Sequence, residues 1–193
     1  MFFPDRKRRR SEQSLGRRQF LKLGAFATLA TLSPRWGFAA LDNSHIFEKS
    51  IAFYNTHTRE SLKTVYWARG KYIPKGLTDI NHILRDHRSG EVKSIDPRLL
   101  DVLHALQLKL KTQKPFHVIS GYRSPKTNEK LRKLGRGVAR HSLHIYGKAV
   151  DVRLPGCRLS SLRRAAIDLG GGGVGYYPRP KFVHLDIGRV RYW

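Results

Sequence analysis

A chain of 193 residues with 38 Lys/Arg against 14 Asp/Glu carries a formal net charge of +24, and its length suits one globular domain plus an additional segment. That balance favours an anionic polymer as partner: nucleic acid, an acidic lipid face or an anionic cell-wall polymer. The single cysteine, Cys157, excludes an intrachain disulfide and reads as a small buried apolar residue or a free thiol, with no role assigned.

The first 40 residues read as a signal peptide rather than as fold. Basic residues come first, including Arg17 and Arg18; a mild apolar stretch runs from Leu21 to Leu32; Ala39 and Ala40 precede the polar Asp42. That is the order of a basic region, an apolar region and a cleavage site. The stretch falls short of the roughly 20 predominantly apolar residues a spanning helix needs. "GRRQFLK", Gly16 to Lys22, resembles the twin-arginine export signal, which predicts a periplasmic protein carried by that export machinery. A basic amphipathic helix docked on a membrane is the competing reading; the order of the regions favours the signal. Removing residues 1–40 leaves a net charge of +17, so the basic character belongs to the domain assigned to residues 41–193.

Ile51 to Ile73 carries β-branched and aromatic residues around Asn55-Thr56-His57-Thr58 and predicts a hairpin, with a third short strand after Arg69-Gly70. In "LTDINHILRDHRSG", Thr78 is the candidate cap of a helix closed by Gly90. In the next segment Asp96 can cap, Pro97 fits the first turn, and Leu99, Val102, Leu103, Leu106 and Leu110 form one apolar stripe. "PFHVIS" predicts a strand, "SPKTNEKLRKLG" a short basic helix, "GKAVDVRL" a strand, "LSSLRRAAIDLGGGG" an amphipathic helix ended by glycines, and "FVHLDIG" the last strand. Strands and helices mix without regular βαβ alternation, which predicts an α+β fold.

Two strands carry polar groups where apolar ones belong. Asp151 interrupts the run Ala149–Val152, and a carboxylate there costs free energy without compensation. Period two places Val150 and Val152 on one face and Asp151 on the other; likewise Val183, Leu185 and Ile187 oppose Phe182, His184 and Asp186. Tyr146-Gly147 lets the chain turn, so that His144 can fold back over Asp151. Two imidazoles, one carboxylate and an open position make the arrangement of a catalytic zinc, which lowers the pKa of a bound water to about 7 and polarises a carbonyl. Spacing alone leaves a second reading open: Asp151 paired with one of many arginines, and His184 a hydrogen-bonded core histidine.

"SLHIYGKAVDV" matches the Ser-x-His-x-x-Gly-x-Ala-x-Asp signature of M15-type zinc D,D-peptidases, relatives of the LAS peptidases. With "VISGYRSPKTNEKLR", "GVARHSLHIYGKAVD" and "GGVGYYPRPKFVHLDIGRVRYW" in order, the chain from about Ser44 to Trp193 resembles the MepK-like subgroup of murein endopeptidases. The resemblance implies a small antiparallel sheet flanked by helices, the LAS/hedgehog-like fold. It implies Zn2+ held by His144, Asp151 and His184, and Arg123 near the scissile carbonyl, where a guanidinium stabilises developing oxyanion charge; a salt bridge that orders the loop is the alternative for Arg123. The implied activity is that of a zinc metallopeptidase hydrolysing peptide crosslinks between peptidoglycan stems, in cell-wall growth or remodelling.

The chain departs from that pattern in one respect. Many relatives carry a Glu shortly before the last histidine ligand as general base, and residues 176–183 contain no carboxylate. Asp186, on the His184 face, is the candidate for that role or for the partner of a ligand histidine; His141 is a weaker candidate, and Tyr176 and Tyr177 line the cleft or join the core. "GGGGVGYY" has no following Lys-Ser/Thr and so is not a phosphate-cradling loop. A zinc-containing module that binds peptidoglycan without cutting it is the rival function. Nucleic-acid binding is disfavoured, because "KLRKLGRGVAR" lacks interleaved aromatics.

Overall fold

Alternating apolar residues make the first hairpin. Strands β1 (Glu48–Asn55) and β2 (Ser61–Ala68) pair antiparallel, with Ile51, Phe53 and Asn55 buried along one face of β1. The Arg69-Gly70 turn, both residues at positive φ, leads into β3 (Lys71–Tyr72), which pairs with β2. The computed structural model describes residues 47–135 and 137–193; the leader assigned to residues 1–40 lies outside them.

Four helices follow the caps written in the sequence, with one exception. Helix α2 (Pro97–Lys109) is capped by Asp96, whose side chain accepts from the Arg98 amide, and α3 (Pro125–Lys133) by Ser124, which accepts from the Thr127 amide. Helix α4 (Leu159–Leu169) ends at Gly170 in the left-handed region. Helix α1, however, spans Pro74–Ile83, four residues ahead of the predicted cap at Thr78. Pro74 starts it, because proline lacks the N–H that the first turn leaves unpaired and already holds helical φ.

The remaining strands are β4 (Phe116–Ser120), β5 (Ala149–Arg153), β6 (Gly173–Tyr177), β7 (Phe182–Asp186) and β8 (Arg191–Tyr192). They join the hairpin in one eight-stranded sheet of order β3-β2-β1-β4-β5-β7-β6-β8. The mixed α/β composition agrees with the α+β expectation, but the small antiparallel sheet does not: the sheet is large, and the β1–β4 and β6–β8 pairs are parallel. Two of its strands were hidden. Glycines Gly173 and Gly175 blank the β-forming signal of β6, and β8 is two residues long.

One face of the sheet is the core. Val150, Val152, Val174, Val183 and Leu185 join Leu99, Leu103, Leu106, Leu162 and Ala166 in a single buried cluster, each such large apolar side chain contributing about 1.5–3 kcal/mol by leaving water. Helices α2 and α4 pack against each other and α4 against β6 and β7. The other face of β5 and β7 is therefore free to carry chemistry. Among the described residues, no helix is long and apolar enough to cross a membrane.

Candidate metal centre

The β5–β7 register places Asp151 directly opposite His184, with Val150 opposite Leu185 and Val152 opposite Val183. Alternation then sends the aspartate and the histidine together to the face away from the core. His144 comes from a short 3₁₀ turn, Leu143–Tyr146, closed by Gly147 at φ 65°. That turn needs glycine on two counts: the left-handed backbone, and a Cβ that would collide with the Ser94 carbonyl. The turn swings His144 back over the sheet.

Three atoms meet there. His184 Nδ1 lies 2.9 Å from Asp151 Oδ1 and 3.2 Å from His144 Nε2, and His144 Nε2 lies 3.3 Å from Asp151 Oδ1. All three residues are buried, with exposures of 2% for His144, 5% for Asp151 and 9% for His184. The far nitrogen of each imidazole is already engaged. His144 Nδ1 donates to the Gly121 carbonyl at 2.7 Å, and His184 Nε2 donates to Asp186 Oδ2 at 3.0 Å. Those bonds set the tautomers. In its neutral form each ring therefore turns a lone pair toward the Asp151 carboxylate, and a ring that takes up a second proton turns a hydrogen there instead.

With both rings neutral the three facing acceptors repel, unless a proton or a metal ion stands between them. The charge distribution expresses this demand in proton affinities. Burial on its own lowers the His184 pKa, but Asp151 and Asp186 outweigh it and raise it to about 9. Burial on its own raises the Asp151 pKa, and the two imidazoles outweigh it, holding the carboxyl well below the usual range. A proton or a divalent ion can satisfy the site, and the two compete. Tetrahedral zinc with ligands near 2.0–2.1 Å sets its ligand atoms roughly 3.3 Å apart, close to the spacing found. Two imidazoles and a carboxylate are also borderline ligands of the zinc type. The residues present fit the ion.

Arg123 borders this centre. Its backbone amide donates to the His144 carbonyl at 3.2 Å, and its Nη2 lies 3.6 Å from Asp151 Oδ2. The side chain is buried, yet its other bonds are long: Nη2 to Ser120 Oγ at 3.3 Å and Nη1 to Asn128 Oδ1 at 3.4 Å. Its Nε has no hydrogen-bond partner among the described residues. Burial lowers the guanidinium pKa and Asp151 partly restores it. A guanidinium that lines the cleft and holds its own partners only by long bonds can give its Nη donors to a ligand oxygen.

Asp186 stands behind His184, not in front of it. Besides His184, its oxygens accept from Arg191 Nη2 at 2.7 Å and Nη1 at 3.1 Å, from the Gly188 amide at 2.8 Å and from the Gly173 amide at 3.1 Å. Burial raises its pKa, but these donors prevail and keep the carboxyl well below its ordinary value. Such a carboxylate is a poor proton acceptor and a good orienting group. Of the two roles left open for Asp186, the geometry favours orienting the His184 ring.

A cleft of about 400 Å³ opens onto the centre, lined by Arg123, His141, His144, Tyr177, Phe182 and Trp193 among others. His141 sits exposed on its rim. Tyr177 lines it, whereas Tyr176 turns away beneath the Arg163 guanidinium, 5.2 Å from its ring. A second hollow of about 470 Å³, with Cys157 in its wall, shares no lining residue with the cleft. Sequence reasoning did not single out Gly121 or Trp193. The signal for Trp193 was present in the alternating glycines of "GGVGYY" and the basic-aromatic end "RVRYW".

Residues 44–193 match the family model described as peptidoglycan L,D-endopeptidase MepK. The chain belongs to this family. It is 45% identical over 177 residues to the peptidoglycan L,D-endopeptidase MepK of Escherichia coli strain K12, covering 92% of this chain and 96% of that protein. It is 35% identical over 178 residues to the probable peptidoglycan L,D-endopeptidase MepK of Haemophilus influenzae, covering 92% and 95%. A crystal structure of Serratia marcescens L-Ala D-Glu endopeptidase ChiX overlaps 48% of this chain and 80% of its own at 20% identity, with a TM-score of 0.36.

Proposed function

We propose that this chain is a zinc-dependent endopeptidase that hydrolyses L,D-peptide crosslinks of peptidoglycan in the periplasm, reached by twin-arginine export. The observation that carries the reading is the trio His144, Asp151 and His184, whose ligand atoms all lie within 4.8 Å of one another, with both outer imidazole nitrogens already spoken for. Family membership supplies the substrate class.

His144, Asp151 and His184 would hold the zinc, which would supply a Lewis acid and lower the pKa of a water to about 7, the two services amide hydrolysis requires. The chain's own groups supply the rest. Arg123 presents its free donors beside the centre, where the carbonyl oxygen of the scissile amide gains negative charge. Gly121 and Asp186 hold the two imidazoles in the tautomers that leave the inner nitrogens unprotonated. With Asp186 saturated by donors, His141 on the rim is the imidazole left to move a proton between solvent and the leaving amine. The net charge of +17 beyond residue 40 holds the enzyme to its anionic wall substrate.

The test is digestion of defined crosslinked muropeptides, with product masses read out, with and without chelator. Cleavage at an L,D-bond that is lost on chelation and restored by zinc is expected. Binding of zinc and sacculi without any cleavage would instead establish a non-catalytic wall-binding module. Export is tested separately: replacing Arg17-Arg18 by Lys-Lys should retain the protein in the cytoplasm, and unchanged periplasmic recovery would assign it to general secretion.

A further inference from the structure

The cleft is lined by two guanidinium groups, Arg123 and Arg191, and by the aromatic rings of Tyr177, Phe182 and Trp193. Trp193 is the most conspicuous member. Its ring centre lies 5.4 Å from that of His184, tilted by 45°, and the residue is 45% exposed.

That exposure does not come with freedom. The Trp193 backbone continues the pairing of β8 with β6: its amide donates to the Val174 carbonyl at 3.2 Å, and its carbonyl accepts from the Tyr176 amide at 2.9 Å. The indole Nε1 donates to the Tyr177 hydroxyl at 2.8 Å. The Arg191 guanidinium lies over the ring at 4.9 Å and is itself clamped by Asp186. Beneath the ring is Gly175, the residue directly opposite His184 in the β6–β7 register. A Cβ at Gly175 would sit 2.7–2.9 Å from the indole atoms. The indole thus occupies the space that any side chain at position 175 would take. Gly173 does the same for its neighbour, since a Cβ there would collide with the Asp186 carboxylate.

A large aromatic surface that is held in place before anything binds loses little entropy when a ligand covers it. Its negative face repels carboxylates and suits aliphatic chains and amide planes. Carboxylates belong at the guanidinium of Arg123. We infer that Trp193 is a substrate-binding residue: the part of its indole left exposed to the cleft receives the aliphatic and amide-plane part of the crosslinked stem peptide. This rests on the peptidoglycan reading above and names the subsite that the reading leaves open.

The test uses the zinc-loaded full chain and a soluble crosslinked muropeptide dimer. Trp193→Ala should raise KM about tenfold or more, with kcat changed less than about threefold and zinc stoichiometry unchanged. Trp193→Phe should recover most of the loss, and Trp193→Leu, which keeps apolar bulk without the aromatic face, should not. These two variants also carry the test if the alanine variant fails to fold. Calorimetric binding of the same dimer to metal-free protein should weaken in parallel. An unchanged KM in Trp193→Ala and Trp193→Leu would overturn the inference. So would loss of zinc with a fallen kcat at unchanged dimer affinity, which would make the indole a prop for His184. A wild-type enzyme that binds the dimer but does not cut it would refute the peptidase reading while leaving the Trp193 binding comparison intact.

Discussion

Asp86 and Asp151 are both buried carboxylates, at 1% and 5% exposure, and their surroundings are opposites. Asp86 is ringed by donors: the Ser124 amide at 2.9 Å and the Arg88 amide at 3.0 Å, with the Thr127 hydroxyl adding to them. It ties the segment after α1 to the start of α3 and asks for nothing more. Asp151 faces two imidazole nitrogens and one distant guanidinium, and is complete only when a proton or a metal ion joins them. Burial alone does not mark a functional carboxylate. Burial among acceptors does, because the missing charge must come from outside the chain.

The sharpest way to break this comparison is to remove the acceptors. His144→Ala or His184→Ala should abolish both zinc binding and cleavage, measured by metal analysis and muropeptide digestion. Asp86→Ala should leave zinc stoichiometry intact and lower unfolding stability by about 1–3 kcal/mol, the cost of stranding buried donors. One zinc per chain retained in both histidine variants would erase the distinction.

Arg123→Lys comes next. It keeps the charge beside Asp151 but loses the planar fork of donors. We expect kcat to fall by about 10²–10³-fold with zinc retained, the usual worth of an oxyanion donor. A loss of stability with unchanged kcat would make Arg123 a loop-ordering residue.

Asp186→Asn tests the third carboxylate, which resembles Asp86 in its donors yet touches the centre through His184. Zinc affinity should weaken by about 10–100-fold, with the rate largely restored at saturating metal. A turnover still down by about 10²–10⁴-fold at saturating zinc would return Asp186 to the proton-transfer role.

The smallest effect is in acid. Burial by itself raises the Asp86 pKa, but the hydrogen bonds from Thr127, Arg88 and Ser124 prevail and lower it to about 2 from 3.8. A depressed folded-state pKa stabilises the protein above the unfolded value, and that contribution drains away as pH falls through about 4 toward 2. The stability gap between wild type and Asp86→Asn should therefore shrink by on the order of 1–2 kcal/mol over that window, read by denaturant unfolding of the metal-free protein. A gap independent of pH would show that the Asp86 charge does not matter.

The linear chain already specified much of this site. Asp151 stood out because a carboxylate between Ala149, Val150 and Val152 has no apolar reason to be there, and period two aligned it with His184 before any fold was known. Capping chemistry located α2 and α3 through Asp96 and Ser124, since those signals act within three residues. Only the tertiary structure decided what depends on distant partners. The tautomers of His144 and His184 follow from Gly121 and Asp186, reached through strand register and a 3₁₀ turn. The size of the sheet rested on β6 and β8, whose local preference for strand is weak and whose pairing is not local. The placing of Trp193 over Gly175 is legible from neither residue alone: a glycine records that space is needed, and the fold determines which side chain fills it.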